Sequence, residues 1–146
     1  MSLRLRAIHT ERVHAHLCRA YPEEGCGVLL GRDEGAMRTV EWVVEFENQR
    51  EDSRRNRYLI SPEQLLTVER QAREEGLDVL GFFHSHPDHP ATPSAFDLEH
   101  AWPYYSYLIV SVEQGRVVDA RAWRLAPDRS RFEPETLEQS PAEAVP

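Results

Sequence analysis

The sequence predicts an α/β (α+β) domain, a mixed central β-sheet flanked by helices. Three features carry this. Strand-like and helix-like segments alternate irregularly along the chain, as they do when helices cover a mixed sheet. The run LDVLGFFHSH, residues 77 to 86, is almost continuously apolar until its histidines, the signature of a strand covered on both faces. Further on, YSYLIVSVE, QGR and VVDARAWRL spell strand, turn and strand. A chain of 146 residues can bury one sizeable core and is too short for two ordinary domains. The domain is assigned to residues 1–126.

The elements follow in order. After a short apolar lead, Thr10 is placed to cap a helix running to about Arg19, with Val13 and Leu17 on its inner face and Pro22 ending it. CGVLLG reads as a buried strand, RDEG as a hairpin turn and MRTVEWVVEFEN as the partner strand. QREDSRRNR, residues 49 to 57, has no apolar periodicity and reads as a solvated loop. Its arginines, Arg50, Arg54, Arg55 and Arg57, offer a sharper alternative, docking of an acidic protein partner, which charge reversal would weaken. Ser61 then caps a helix with Pro62 at its first position; Leu65, Leu66, Val68 and Ala72 form the buried face, and Gly76 stops it. Ser94 opens another helix with Asp97 at the capping-box position, closed by Trp102 and Pro103. From residue 127 to 146 apolar residues thin out among prolines and acids, and a polar, partly disordered tail is expected.

Seventeen Lys and Arg against 25 Asp and Glu give a net charge of -8, the wrong sign for general binding to nucleic acid or an anionic membrane. No apolar run approaches the roughly 20 residues of a membrane helix. The two cysteines, Cys18 and Cys26, lack CxxC spacing, and no secretory pattern precedes them, so a cytoplasmic location is expected. Cys26 reads as a buried strand thiol. Trp42, Trp102 and Trp123 read as core or core-edge residues.

His84 and His86, two apart at a strand end, project from one face and can share an ion. His14 and His16 have the same spacing on a helix, where a two-residue step turns the side chain by about 200°; they read as surface residues. Asp97 is the candidate third ligand, because the turn containing Pro87, Pro90 and Pro93 brings the next helix start back over the strand end. Two histidines and a carboxylate fit a catalytic zinc with one position open, whereas a structural site would fill all four positions, usually with cysteines, and this chain has only two, without the pairing such sites show. Such a site also needs a general base, and Glu24, just before a buried strand, is the candidate. The residues alone do not choose it over Glu23.

His84, Ser85, His86 and Pro87, six residues, Ser94, two residues and Asp97 spell H-S-H-P-x6-S-x-x-D, and Glu24, Gly25, Cys26 and Gly27 match E-x-C-G. This resembles the JAMM (MPN+) motif of the JAB1/MPN/Mov34 metallopeptidase family, over roughly residues 5 to 125. The resemblance implies a JAB1/MPN fold related to that of cytidine deaminases. It implies one catalytic Zn2+ on His84, His86 and Asp97, with Glu24 as base and Ser94 helping to hold the oxyanion. It also implies an isopeptidase of the small stand-alone prokaryotic type. Such an enzyme cuts after the C-terminal Gly-Gly of a ubiquitin-like or sulfur-carrier protein joined to cysteine or lysine, with the carrier tail lying in a groove beside the metal.

Ser94 and Asp97 have a plainer reading as a helix cap, compatible with the first. His89 and His100 read as a solvated turn residue and a packing residue. The alternative function is a non-catalytic MPN-type interaction scaffold, which would bind no zinc. A zinc deaminase is rejected, since neither H-x-E nor P-C-x-x-C is present. The oligomeric state is left open, a homodimer included.

Overall fold

The computed structural model describes residues 1–48 and 60–139, so the arginine-bearing segment lies outside the described residues. The elements are β1 (Ser2–Leu5), α1 (Ala7–Ala20), β2 (Cys26–Asp33), β3 (Met37–Phe46), α2 (Pro62–Glu75), β4 (Asp78–Pro87), α3 (Ala95–His100), β5 (Ser106–Glu113), β6 (Arg116–Leu125) and β7 (Phe132–Gln139). The strands hydrogen-bond in the order β1-β3-β2-β4-β5-β6-β7 and close into a barrel. The sheet is mixed: β1 is parallel to both β3 and β7, β4 is parallel to β5, and the remaining pairs are antiparallel.

Helices do flank this sheet. Val13 and Leu17 of α1 pack with Leu29, Leu80, Phe83 and Leu108 in one cluster, and Val68 and Ala72 of α2 pack with Val28, Leu30, Phe82 and Tyr107 in another. Consecutive residues of β2 and β4 thus serve opposite cores, which is why both strands read as continuous apolar runs.

The expected mixed sheet closes on itself into a barrel, and several expectations about the elements need correction. The apolar lead is itself a strand, β1. Leu3 and Leu5 are buried, each side chain contributing roughly 1.5–3 kcal/mol by leaving water. Secondly, residues 132–139, expected in the tail, form β7, paired with β6 and β1. Its acidic composition hides a buried ion pair, Glu135 Oε2 to Arg124 Nη2 at 2.6 Å. Thirdly, α1 starts at Ala7, with Arg6 at the cap position and no side-chain cap bond. Docking of β1 on its neighbours sets that start, and Thr10 lies inside the helix. By contrast, Ser61 caps α2 as expected, in a capping box with Gln64, and Gly76 ends the helix in the left-handed region (φ 68°), although Leu66, expected on its buried face, is exposed. Among the described residues, no helix is long and apolar enough to cross a membrane.

Gly27, beside the site, is dictated by close approach. A Cβ there would stand 2.2 Å from the Phe83 ring and 2.3 Å from the Val44 carbonyl oxygen. Gly27→Ala is therefore expected to destabilise the domain by about 1–3 kcal/mol through overpacking, read as a lower urea midpoint. An unchanged midpoint would contradict this packing.

Candidate active site

The C-terminal end of β4 presents His84 and His86 on one face, as the two-residue strand period requires. α3 returns over them: Ser94 Oγ accepts the Asp97 N–H at 3.0 Å, and Asp97 Oδ2 accepts the Ser94 N–H at 2.9 Å. This capping box fixes the aspartate while its carboxylate faces the imidazoles. Asp97 Oδ1 lies 3.3 Å from His84 Nε2, Asp97 Oδ2 lies 3.0 Å from His86 Nε2, and the two Nε2 atoms are 3.2 Å apart. Tetrahedral zinc with bonds of about 2.0–2.1 Å has donor–donor edges of about 3.3 Å, so the spacing fits such an ion. His84, His86 and Asp97 are the only group of at least three potential ligands so gathered among the described residues. His86 Nδ1–H donates to the Pro90 carbonyl at 2.8 Å, so Nε2 is the nitrogen that could ligate a metal.

Burial pushes the Asp97 carboxyl up, but His84 and the hydrogen bonds from His84, His86 and Ser94 outweigh it and hold it well below the usual carboxylate range. His84 is pushed down by burial against the pull of Asp97. His86 is raised, its burial outweighed by the hydrogen bond and charge of Asp97.

Glu24 precedes β2, where Cys26 lies in register with His84. It is 3 % exposed, and its Oε1 has no hydrogen-bond partner among the described residues. Burial pushes its carboxyl up from 4.5 to about 8, with His86 opposing and Asp97 adding to the rise. A buried carboxyl with one unsatisfied oxygen, titrating near neutrality, has the properties of a general base. Glu23 is more exposed than Glu24.

Several residues that hold this arrangement escaped sequence reasoning. Ser85, between the two histidines, faces the opposite way and is buried; its Oγ accepts the Gly25 N–H at 2.9 Å while its own N–H donates to the Gly25 carbonyl at 3.1 Å. Asn48 Nδ2 donates to the Glu24 carbonyl at 3.1 Å. His16, expected at the surface, is a correction: its side chain is 14 % exposed, and Nε2–H donates to the carbonyls of Cys26 and Phe46, both at 3.0 Å. It turns inward because β2 and β3 present those carbonyls to α1. The turn after β4 is held by more than its prolines. Ser111 Oγ donates to the His89 carbonyl at 2.6 Å, and Trp123 Nε1 donates to the Ala91 carbonyl at 3.1 Å.

Cys26 is buried, its thiol pushed up to about 12 by burial and by Glu24, as befits the expected structural thiol. His89 is exposed, and His100 stacks on Phe96 with centroids 4.0 Å apart; neither joins the donor group. Trp102, expected at the core edge, is 62 % exposed. Its backbone N–H is tethered to Tyr107 Oη at 2.7 Å, leaving the ring at the rim of a cavity. That cavity, about 460 Å³, is lined by Leu65, Phe82, Phe96, Tyr107 and Phe132 and shares His84 and Asp97 with the donor group.

Fold and site define a class: a single mixed β-barrel domain with a His-His-Asp donor set at a strand end and a buried carboxyl beside it. The chain belongs to the family of prokaryotic homologs of the JAB domain, whose model matches residues 6–126. It is 39% identical over 103 residues to a desampylase of Haloferax volcanii, covering 70% of each chain. It is 37% identical over 103 residues to a probable TtuB-protein conjugate cleaving protease of Thermus thermophilus, covering 70% of this chain and 66% of that one. A protein of Desulfitobacterium hafniense solved in solution superposes with a TM-score of 0.83 at 34% identity, over 97% of this chain and 95% of the other.

Proposed function

We propose that this protein is a zinc-dependent isopeptidase that hydrolyses the amide bond after the C-terminal Gly-Gly of a ubiquitin-like or sulfur-carrier protein joined to lysine or cysteine. The observation that carries the reading is the buried Glu24 carboxyl beside three donors spaced for one ion. The names of the two curated relatives, one a desampylase and one a protease cleaving protein conjugates, support the substrate class.

Bound on His84, His86 and Asp97, zinc supplies Lewis-acid polarisation of the scissile carbonyl and a lowered pKa for the attacking water. The chain does the rest. Glu24 accepts the proton of that water and passes it to the leaving amine. Ser94, whose oxygen accepts the Asp97 N–H, keeps its own O–H to donate toward the developing oxyanion, a contribution of the order of 3 kcal/mol in comparable sites. The cavity beside His84 and Asp97 receives the extended carrier tail. The acidic chain, with its net charge of -8, acts on protein and not on nucleic acid or membrane, in the cytoplasm.

The test is incubation of the zinc-loaded protein with sulfur-carrier fusions ending in Gly-Gly linked to cysteine or to a lysine side chain. Mass spectrometry is expected to find free carrier ending in Gly-Gly. Intact fusions of both kinds would remove this substrate class and favour the scaffold alternative.

A further inference from the structure

We infer that Tyr21 and Asp88 form a latch that sets the distance between the segment carrying Glu24 and the end of β4 carrying His84 and His86, which makes both of them positioning residues. The inference rests on the roles proposed above for Glu24 and the donor group.

The site is built from two stretches of chain, one entering β2 and one leaving β4. Hydrolysis needs the base and the donors held in register to well under 1 Å, since misplacement by that much can cost about a hundredfold in rate. On the inner side, the paired bonds between Gly25 and Ser85 provide that registration. On the outer side stands Asp88, two residues past His86. Its Oδ2 accepts the Tyr21 hydroxyl at 2.7 Å, its Oδ1 accepts the Gln114 N–H at 2.9 Å, and its own N–H donates to the Val112 carbonyl at 2.8 Å.

Tyr21 is the C-cap of α1, three residues before Glu24. One carboxylate therefore spans the end of α1, the turn after β4 and the β5–β6 turn, with a different partner for each oxygen. Asp88 also adopts φ 56°, a left-handed conformation. A turn alone asks only for that conformation, which glycine supplies without strain. The short hydroxyl-to-carboxylate bond is an addition that the turn does not need, and bonds of that charge-assisted kind are among the stronger ones.

The two roles separate experimentally. Asp88→Gly keeps the turn and removes both acceptor oxygens, and Tyr21→Phe keeps the ring and removes only the hydroxyl. In the zinc-loaded enzyme each is expected to lower kcat about tenfold with KM within twofold, and to produce no further fall when combined with Glu24→Gln, because the latch acts through the glutamate. In the metal-free protein, hydrogen exchange read by NMR is expected to quicken at least tenfold at the Gly25 amide in both variants. An unchanged exchange rate at Gly25 overturns the latch, as does a tenfold loss that persists undiminished in the Glu24→Gln background. If the wild-type protein cleaves no Gly-Gly fusion, the proposed function falls, and the metal-free exchange comparison alone decides the latch.

Discussion

Replacing Glu24 by glutamine is expected to slow the proposed hydrolysis of Gly-Gly conjugates by two to four orders of magnitude, about what a well-placed general base contributes. The amide matches the carboxyl in shape but cannot accept the proton of the attacking water. Zinc uptake should be retained, since the three donors are untouched. Steady-state rates on a carrier fusion, with zinc content measured in the same samples, check both halves. Undiminished cleavage would remove Glu24 from its role.

The same substitution has an opposite effect on the metal-free fold. The folded-state pKa of Glu24 is raised by burial to about 8, so between pH 4.5 and 8 the native protein holds a proton that the unfolded chain has released. The stability linked to that proton is complete below pH 4.5 and is lost as pH rises through 8, a change of roughly 5 kcal/mol by linkage. Glutamine has nothing to ionise. Metal-free wild type and variant are therefore expected to unfold at similar urea concentrations at pH 5, with the variant clearly more resistant at pH 9. Equal midpoints at pH 9 would show that ionising Glu24 costs the fold nothing.

The second large effect is expected from Asp97→Ala. With zinc at a hundredfold over its Kd, the wild type should gain about 2.7 kcal/mol of stability. The variant should gain none at the same concentration, because two imidazoles remain of a three-donor set. It should also lose something of the order of 1 kcal/mol without zinc, as the return bond to the Ser94 N–H disappears. Thermal melts with and without zinc, beside a calorimetric titration, separate the two terms. Stoichiometric zinc binding of wild-type strength in the variant would exclude Asp97 as a ligand.

The donor group was legible because each of its parts is local. His84 and His86 share a face by strand period, and Ser94 and Asp97 meet by helix capping; both rules act within four residues. Glu24 was legible only through the resemblance, since nothing in YPEEGCG distinguishes it from Glu23 until β2 buries one of them. Ser85 and His16 were missed for a related reason: their partners, Gly25 and the carbonyls of Cys26 and Phe46, come from other elements. β1 and β7 were missed because a parallel pairing between residues more than 130 apart leaves no mark on hydrophobic periodicity. In β7 the buried Glu135 even inverts the expected pattern, an acid facing inward to meet Arg124.

The pairing of β1 with β7, where the Thr136 N–H reaches the Met1 carbonyl, works like a zip joining the first and last described strands. Shortening the chain at residue 126, where the family match ends, would undo it. The released margins of β1 and β6 would be open to edge-to-edge association with other molecules. Phe132 would go with the lost strand, so the wall of the cavity beside His84 and Asp97 and the covering of the sheet edges depend on the same eight residues.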